Sequence, residues 1–131
     1  QKDIRCGGSF MIFNRQRDLV HILLNFCSFF KHESCGVCTP CRAGNFILQR
    51  KLEKISHGLA DRNDLQDLRN WGNIMKSTSR CGLGKTAQNS VLHAVDKFQD
   101  YFAKRFAEVD HSLYRQIDEH AAIAEYERYK P

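Results

Sequence analysis

Three cysteines, Cys35, Cys38 and Cys41, recur at every third position in Glu33-Ser34-Cys35-Gly36-Val37-Cys38-Thr39-Pro40-Cys41-Arg42. This spacing constrains the chain more than any other feature. A turn of backbone gathers residues i, i+3 and i+6 to the spacing at which three thiolates can each grip a different iron of one cluster. A fourth ligand has to come from elsewhere, and Cys81, in Ser79-Arg80-Cys81-Gly82-Leu83-Gly84, is the candidate.

Zinc is the rival occupant, because four thiolates in a tetrahedron make a common closed site, and the chain would then be a zinc-stabilised protein-interaction module that moves no electrons. Its usual signature is two separated cysteine pairs. Here three cysteines crowd one turn and the fourth lies far downstream, a three-plus-one arrangement closer to 4Fe-4S ligation. Disulfides are a third reading of the six cysteines, but no secretory signal opens the chain. The thiols therefore point to a reducing compartment such as the cytoplasm. Gly36, Gly82 and Gly84 allow backbone amides close to the sulfurs, which helps set a reduction potential. Arg42, Arg80 and Lys85 either offset an anionic cluster or make an ordinary solvated surface.

The 131 residues are one domain's worth of chain, and a hydrophobic content of 42% with 27% charge is ordinary for a globular protein. The net charge of +5 is spread along the chain and forms no basic block, so nothing indicates nucleic-acid binding. The longest apolar run, residues 19–30, is too short to cross a bilayer and is interrupted by His21, Asn25 and Ser28. No direct membrane insertion is expected. The chain begins at Gln1, not Met, and reads as a fragment or processed piece.

Apolar spacing predicts an all-α fold. Residues 9–13 read as one short N-terminal strand. From Asp18 onward, Leu19, Ile22, Leu23, Phe26 and Phe30 mark one face of a first helix that ends at the cysteine loop. Thr39 as N-cap and Pro40 at the first helical position start a second helix over about 41–57, stopped by Gly58. Its stripe is Leu48, Leu52, Ile55 and Leu59. Asn63 and Gln66 resemble a capping box for a third helix carrying Leu65, Leu68 and Met75, ending near Ser77. Val91, Val95, Phe98, Phe102 and Phe106 predict a fourth helix of four turns, capped by Asn89 or Ser90. Asp110 opens a helical tail bearing Leu113, Ile117, Ala121 and Ala124. Stripes on four helices with short connections are covered most economically in an antiparallel four-helix bundle with a cluster-binding loop.

Other features carry less chemistry. Gly84-Lys85-Thr86 resembles the end of a phosphate-binding loop, but the required first glycine falls at Ser79 and a helix precedes it. Cys27 lies beside the apolar face of the first helix and reads as a buried hydrophobe, while Cys6 has no assignable role. The six histidines show no pairing with an acid and a nucleophile, so no catalytic residue is expected. His32 is held open as a ligand because it lies three residues before Cys35. Trp71-Gly72 reads as core packing.

The two cysteine segments, residues 33–44 and Cys81-Gly82-Leu83-Gly84, resemble the C-terminal 4Fe-4S domain of the NADH-binding flavoprotein subunit of the complex I family. Ile12-Phe13-Asn14, Arg17-Asp18-Leu19, Trp71-Gly72 and residues 78–84 look most like the diaphorase alpha branch found in NAD-reducing soluble hydrogenases, with NAD-dependent formate dehydrogenase the nearest relative to exclude. The resemblance implies that Cys35, Cys38, Cys41 and Cys81 are the cluster ligands. It further implies a relay taking electrons from FMN after hydride transfer from NADH and passing them along an iron-sulfur chain, or the reverse. The family's FMN and NAD(H) segments precede the start of this chain, so those cofactors are expected on another part of the subunit or on another chain. The implied partners are that flavin portion and further iron-sulfur subunits of a hetero-oligomer. Residues 1–14 resemble the end of a preceding middle domain, with the cluster bundle over 15–108 and the tail over 109–131. Many relatives carry proline where this chain has Asn89, which bears only on how the last bundle helix starts.

Overall fold

The computed structural model describes residues 10–106. The tail expected over 109–131 and Cys6 lie outside the described residues. Six helices follow in order: α1 Leu19–Glu33, α2 Thr39–Ser56, α3 Arg62–Thr78, α4 Gly82–Thr86, α5 Asn89–Lys97 and α6 Gln99–Ala103. None is long and apolar enough to cross a membrane. The strand expected over 9–13 does not form across its described part, residues 10–13, which have no regular structure and stay exposed. A strand leaves its backbone groups unpaired without a neighbour, and no partner strand stands beside this segment among the described residues.

Asp18 caps α1, its carboxylate accepting from the Val20 amide at 2.8 Å and the His21 amide at 3.2 Å. The helix then buries Val20, Leu23 and Cys27. Helix α2 starts earlier than its sequence suggests: Cys38 takes the N-cap position, and Thr39 and Pro40 are already helical. Proline is tolerated there because first-turn amides have no intrahelical partner to lose. Leu48, Leu52 and Ile55 of the expected stripe are completely buried, each worth about 2 kcal/mol relative to exposure. Leu59 is not, being 61% exposed, because α2 has ended and Gly58 turns the chain at a φ of +67°. Ala60 is buried in its place and bridges to Phe106.

The cap of α3 is Asp61, not Asn63. Asp61 accepts from the Asp64 amide at 2.9 Å while Asp64 accepts from the Asp61 amide at 3.0 Å, a reciprocal box. Leu68 and Met75 fill the core from this helix. Helices α2 and α3 run alongside each other in opposite directions. Lys51 meets Asp64 and Asp67 at one end, and Gly44 lies against Met75 at the other, where an added Cβ would stand 2.4 Å from the methionine side chain.

The long fourth helix is broken into α5 and α6 at Phe98, whose φ of −119° and ψ of 44° leave the helical region. The bend leaves Phe98 exposed, buries Phe102 completely and brings the Tyr101 hydroxyl to accept from the Leu19 amide at 3.1 Å. Docking onto α1 thus overrides the straight apolar repeat. Arg105 reinforces the dock, lying over the Tyr101 ring and donating to both that hydroxyl and Asp18. In all, α1 packs on α2, α2 on α3, α3 on α5, and α5 touches α1. Gly72 permits the α3–α5 approach, since a Cβ there would stand 2.7 Å from Leu92.

Candidate metal centre

The cysteines sit on two loops brought face to face by the α2–α3 pair. The first, between α1 and α2, carries Cys35 and Cys38 and leads to Cys41 in the first turn of α2. The second joins α3 to α4 and ends in Cys81, the N-cap of α4. The short helix α4 was not expected from the sequence, where its glycines read as loop. It turns Cys81 into a helix start, as the early opening of α2 does for Cys38. The positive end of α2 lies at the first loop and favours thiolates there.

The loops touch through Cys38. Its sulfur accepts hydrogen bonds from the backbone N–H of Arg80 and then of Cys41, and these, helped by the charge of Arg80, hold the thiol below its usual pKa. Cys41 is buried, 4% exposed, with its sulfur 3.3 Å from the Ser34 hydroxyl and 3.4 Å from Nδ2 of Asn45. Gly84 closes the far side: a Cβ there would stand 3.0 Å from the Cys41 Cβ and 2.7 Å from the Ser79 hydroxyl. That hydroxyl is itself buried and has no hydrogen-bond partner. Cys35 and Cys81 are exposed.

The remaining candidates divide. Gly36 has a φ of +74°, which only glycine adopts freely, and its amide donates to the Ser34 hydroxyl at 3.3 Å. Arg42 donates to the Gly36 carbonyl at 2.8 Å and so braces the loop. Gly82 is exposed with open space around it. His32 pairs with Glu33 at 3.1 Å on the surface. Cys27 is an inert core side chain, burial pushing its thiol up to about 12. Asn45, which touches Cys41, went unnoticed in the sequence. The signal was there: a polar residue at i+4 from a candidate ligand, in line with Leu48, Leu52 and Ile55.

Among the described residues, no three Cys, His, Asp or Glu side chains stand close enough to share one metal ion as they lie. A cluster takes each thiolate on its own iron and so spaces the sulfurs more widely than the roughly 2.3 Å bonds of a zinc tetrahedron do. The donor set fits an iron-sulfur group: four thiols on two facing loops, amide donors on Cys38, and the orphaned Ser79 hydroxyl beside Cys41. Beside the first loop lies a hollow of about 450 Å³ lined by Lys31, Ser34, Gly36, Arg42, Ala43 and Phe46.

The sequence model of the NADH-ubiquinone oxidoreductase-F iron-sulfur binding region matches residues 21–105. The alpha subunit of the NAD-reducing hydrogenase HoxS of Cupriavidus necator is 40% identical over 127 residues, 97% of this chain and 21% of that subunit. A subunit of the NADH-quinone oxidoreductase of Aquifex aeolicus is 33% identical over 74% of this chain and 23% of its own length. The chain thus spans about a fifth of the length of these relatives. A crystal structure of an NAD+-reducing NiFe hydrogenase in the H2-reduced state superposes with a TM-score of 0.76 at 34% identity, over 90% of this chain and 23% of that one.

Proposed function

The chain belongs to the family of the NADH-ubiquinone oxidoreductase-F iron-sulfur binding region, and we propose that it is an electron-transfer module of an NAD-linked oxidoreductase. Cys35, Cys38, Cys41 and Cys81 hold the cluster. When bound, such a cluster takes up and releases one electron at a time. The observation that carries the reading is Gly84 packed against Cys41, where an added Cβ would stand 3.0 Å from the Cys41 Cβ, because it brings the segment bearing Cys81 onto the first cysteine segment.

The chain's own residues prepare the site. Backbone amides stabilise the Cys38 thiolate, and burial keeps water from Cys41. Gly36 and Arg42 fix the path of the first loop, and Gly84 lets α4 close on Cys41. The closed ring of contacts α1–α2–α3–α5 supports reading the described part of residues 15–108 as an antiparallel four-helix bundle.

The module relays electrons between FMN and a further iron-sulfur chain. FMN and NAD(H) belong to another part of the subunit or another chain, as do the iron-sulfur partners of a cytoplasmic hetero-oligomer. The names of the relatives support this, covering an NAD-reducing hydrogenase and an NADH-quinone oxidoreductase. The test is anaerobic NADH titration of the complete oxidoreductase, followed by electron paramagnetic resonance. A reduced-cluster signal that disappears in Cys38→Ser is expected. Electron delivery from NADH to the terminal acceptor at an unchanged rate in that variant would overturn the relay.

A further inference from the structure

We propose that Asn45 is a positioning residue that tunes the Cys41 ligand: its buried amide donates to the sulfur and raises the reduction potential of the bound cluster. The proposal rests on the iron-sulfur reading above.

Asn45 is 1% exposed, on the face of α2 continued by the fully buried Leu48, Leu52 and Ile55. A buried primary amide is costly unless its polar atoms find partners. Leucine, of the same branched shape and wholly apolar, would suit that face better. What asparagine adds is two donors on one nitrogen. One meets the Cys41 carbonyl at 2.9 Å and the other the Cys41 sulfur at 3.4 Å. The carbonyl fixes the orientation of the amide, since the reversed group would set oxygen against oxygen.

A second donor approaches the same sulfur. The Ser34 hydroxyl accepts from the Gly36 amide, which leaves its own hydrogen for Cys41 at 3.3 Å. A ligating thiolate has no proton to give, so both contacts run toward the sulfur. Reduction adds negative charge to the cluster and its ligands, so donors stabilise the reduced form more than the oxidised one. Burial strengthens that preference at Cys41, whereas water competes at exposed Cys35 and Cys81.

The test is a potentiometric titration of the cluster-loaded protein under anaerobic conditions, followed by electron paramagnetic resonance. Asn45→Leu keeps the branched shape, with methyls in place of the amide, and removes the donors. Its midpoint is expected to move to a more negative potential with iron and sulfide per chain unchanged, and Ser34→Ala to move less in the same direction. An unmoved midpoint in a fully loaded Asn45→Leu protein overturns the proposal. If that variant loads no cluster, electron spin echo spectroscopy of the unmodified protein with heavy-nitrogen asparagine decides. Coupling of that nitrogen to the reduced cluster supports the proposal, and its absence overturns it. Unmodified protein without acid-labile sulfide fails one step earlier, removing the cluster reading itself.

Discussion

At one end of the α2–α3 pair, Lys51 and Lys54 enclose the Asp64 carboxylate at 2.8 and 2.7 Å; at the other, the Cys38 sulfur takes the amide of Arg80. Both ends tie the same helices, yet they differ in what they leave unsatisfied. The carboxylate side chain is 3% exposed, and both its oxygens are used, one of them also accepting the Asp61 amide. At the cysteine end, two thiols are exposed and the buried Ser79 hydroxyl has no partner. A polar cluster complete in itself is structural, while a buried hydroxyl without a partner calls for an explanation.

Separating the two ends by mutation tests that contrast. Cys81→Ser should have the largest effect, the loss of most of the bound iron and with it the link between the second loop and the first. Unchanged iron content and unchanged melting in that variant would take Cys81 out of the ligand set. Asp64→Ala should instead leave iron per chain near its original value and cost about 3 kcal/mol of stability in urea unfolding. That is the low end for a broken buried pair, because both lysines reach solvent. Loss of the cluster in this variant at temperatures where it remains folded would erase the distinction.

The carboxylate end should also report itself by pH. Desolvation works to raise the Asp64 pKa, but hydrogen bonds from Lys51, Lys54 and the Asp61 amide outweigh it and hold the carboxyl below its ordinary 3.8. A carboxyl depressed in the folded state stabilises fully above its unfolded value and loses that contribution as pH falls through the folded one. Stability should therefore drop below about pH 4. The drop should be shallower in Asp64→Asn, which an unchanged acid slope in paired denaturation series would contradict. The smallest effect is expected at Cys27→Ala, about 1 kcal/mol with iron unaltered, since this thiol only packs.

The contrast also marks what the sequence makes legible. The cysteine pattern needs only local spacing to be noticed, and the stripe Leu48, Leu52, Ile55 needs only the helical period to be read along the chain. What escaped depends on contacts between distant segments. Phe98 continues a helical repeat, and only the dock of Tyr101 and Arg105 on α1 shows why the helix breaks there. The α3 cap could have been read at either of two neighbouring acid or amide pairs, and the lysines of α2 favour the one at Asp61 and Asp64. Asn45 looks like a flaw in an apolar face until Cys41 is seen beside it.

The most direct measurement is metal and sulfide analysis of anaerobically purified protein, with paramagnetic resonance before and after reduction. About four irons and four acid-labile sulfides per chain are expected, with a paramagnetic signal on reduction. One zinc per chain without sulfide would contradict a cluster.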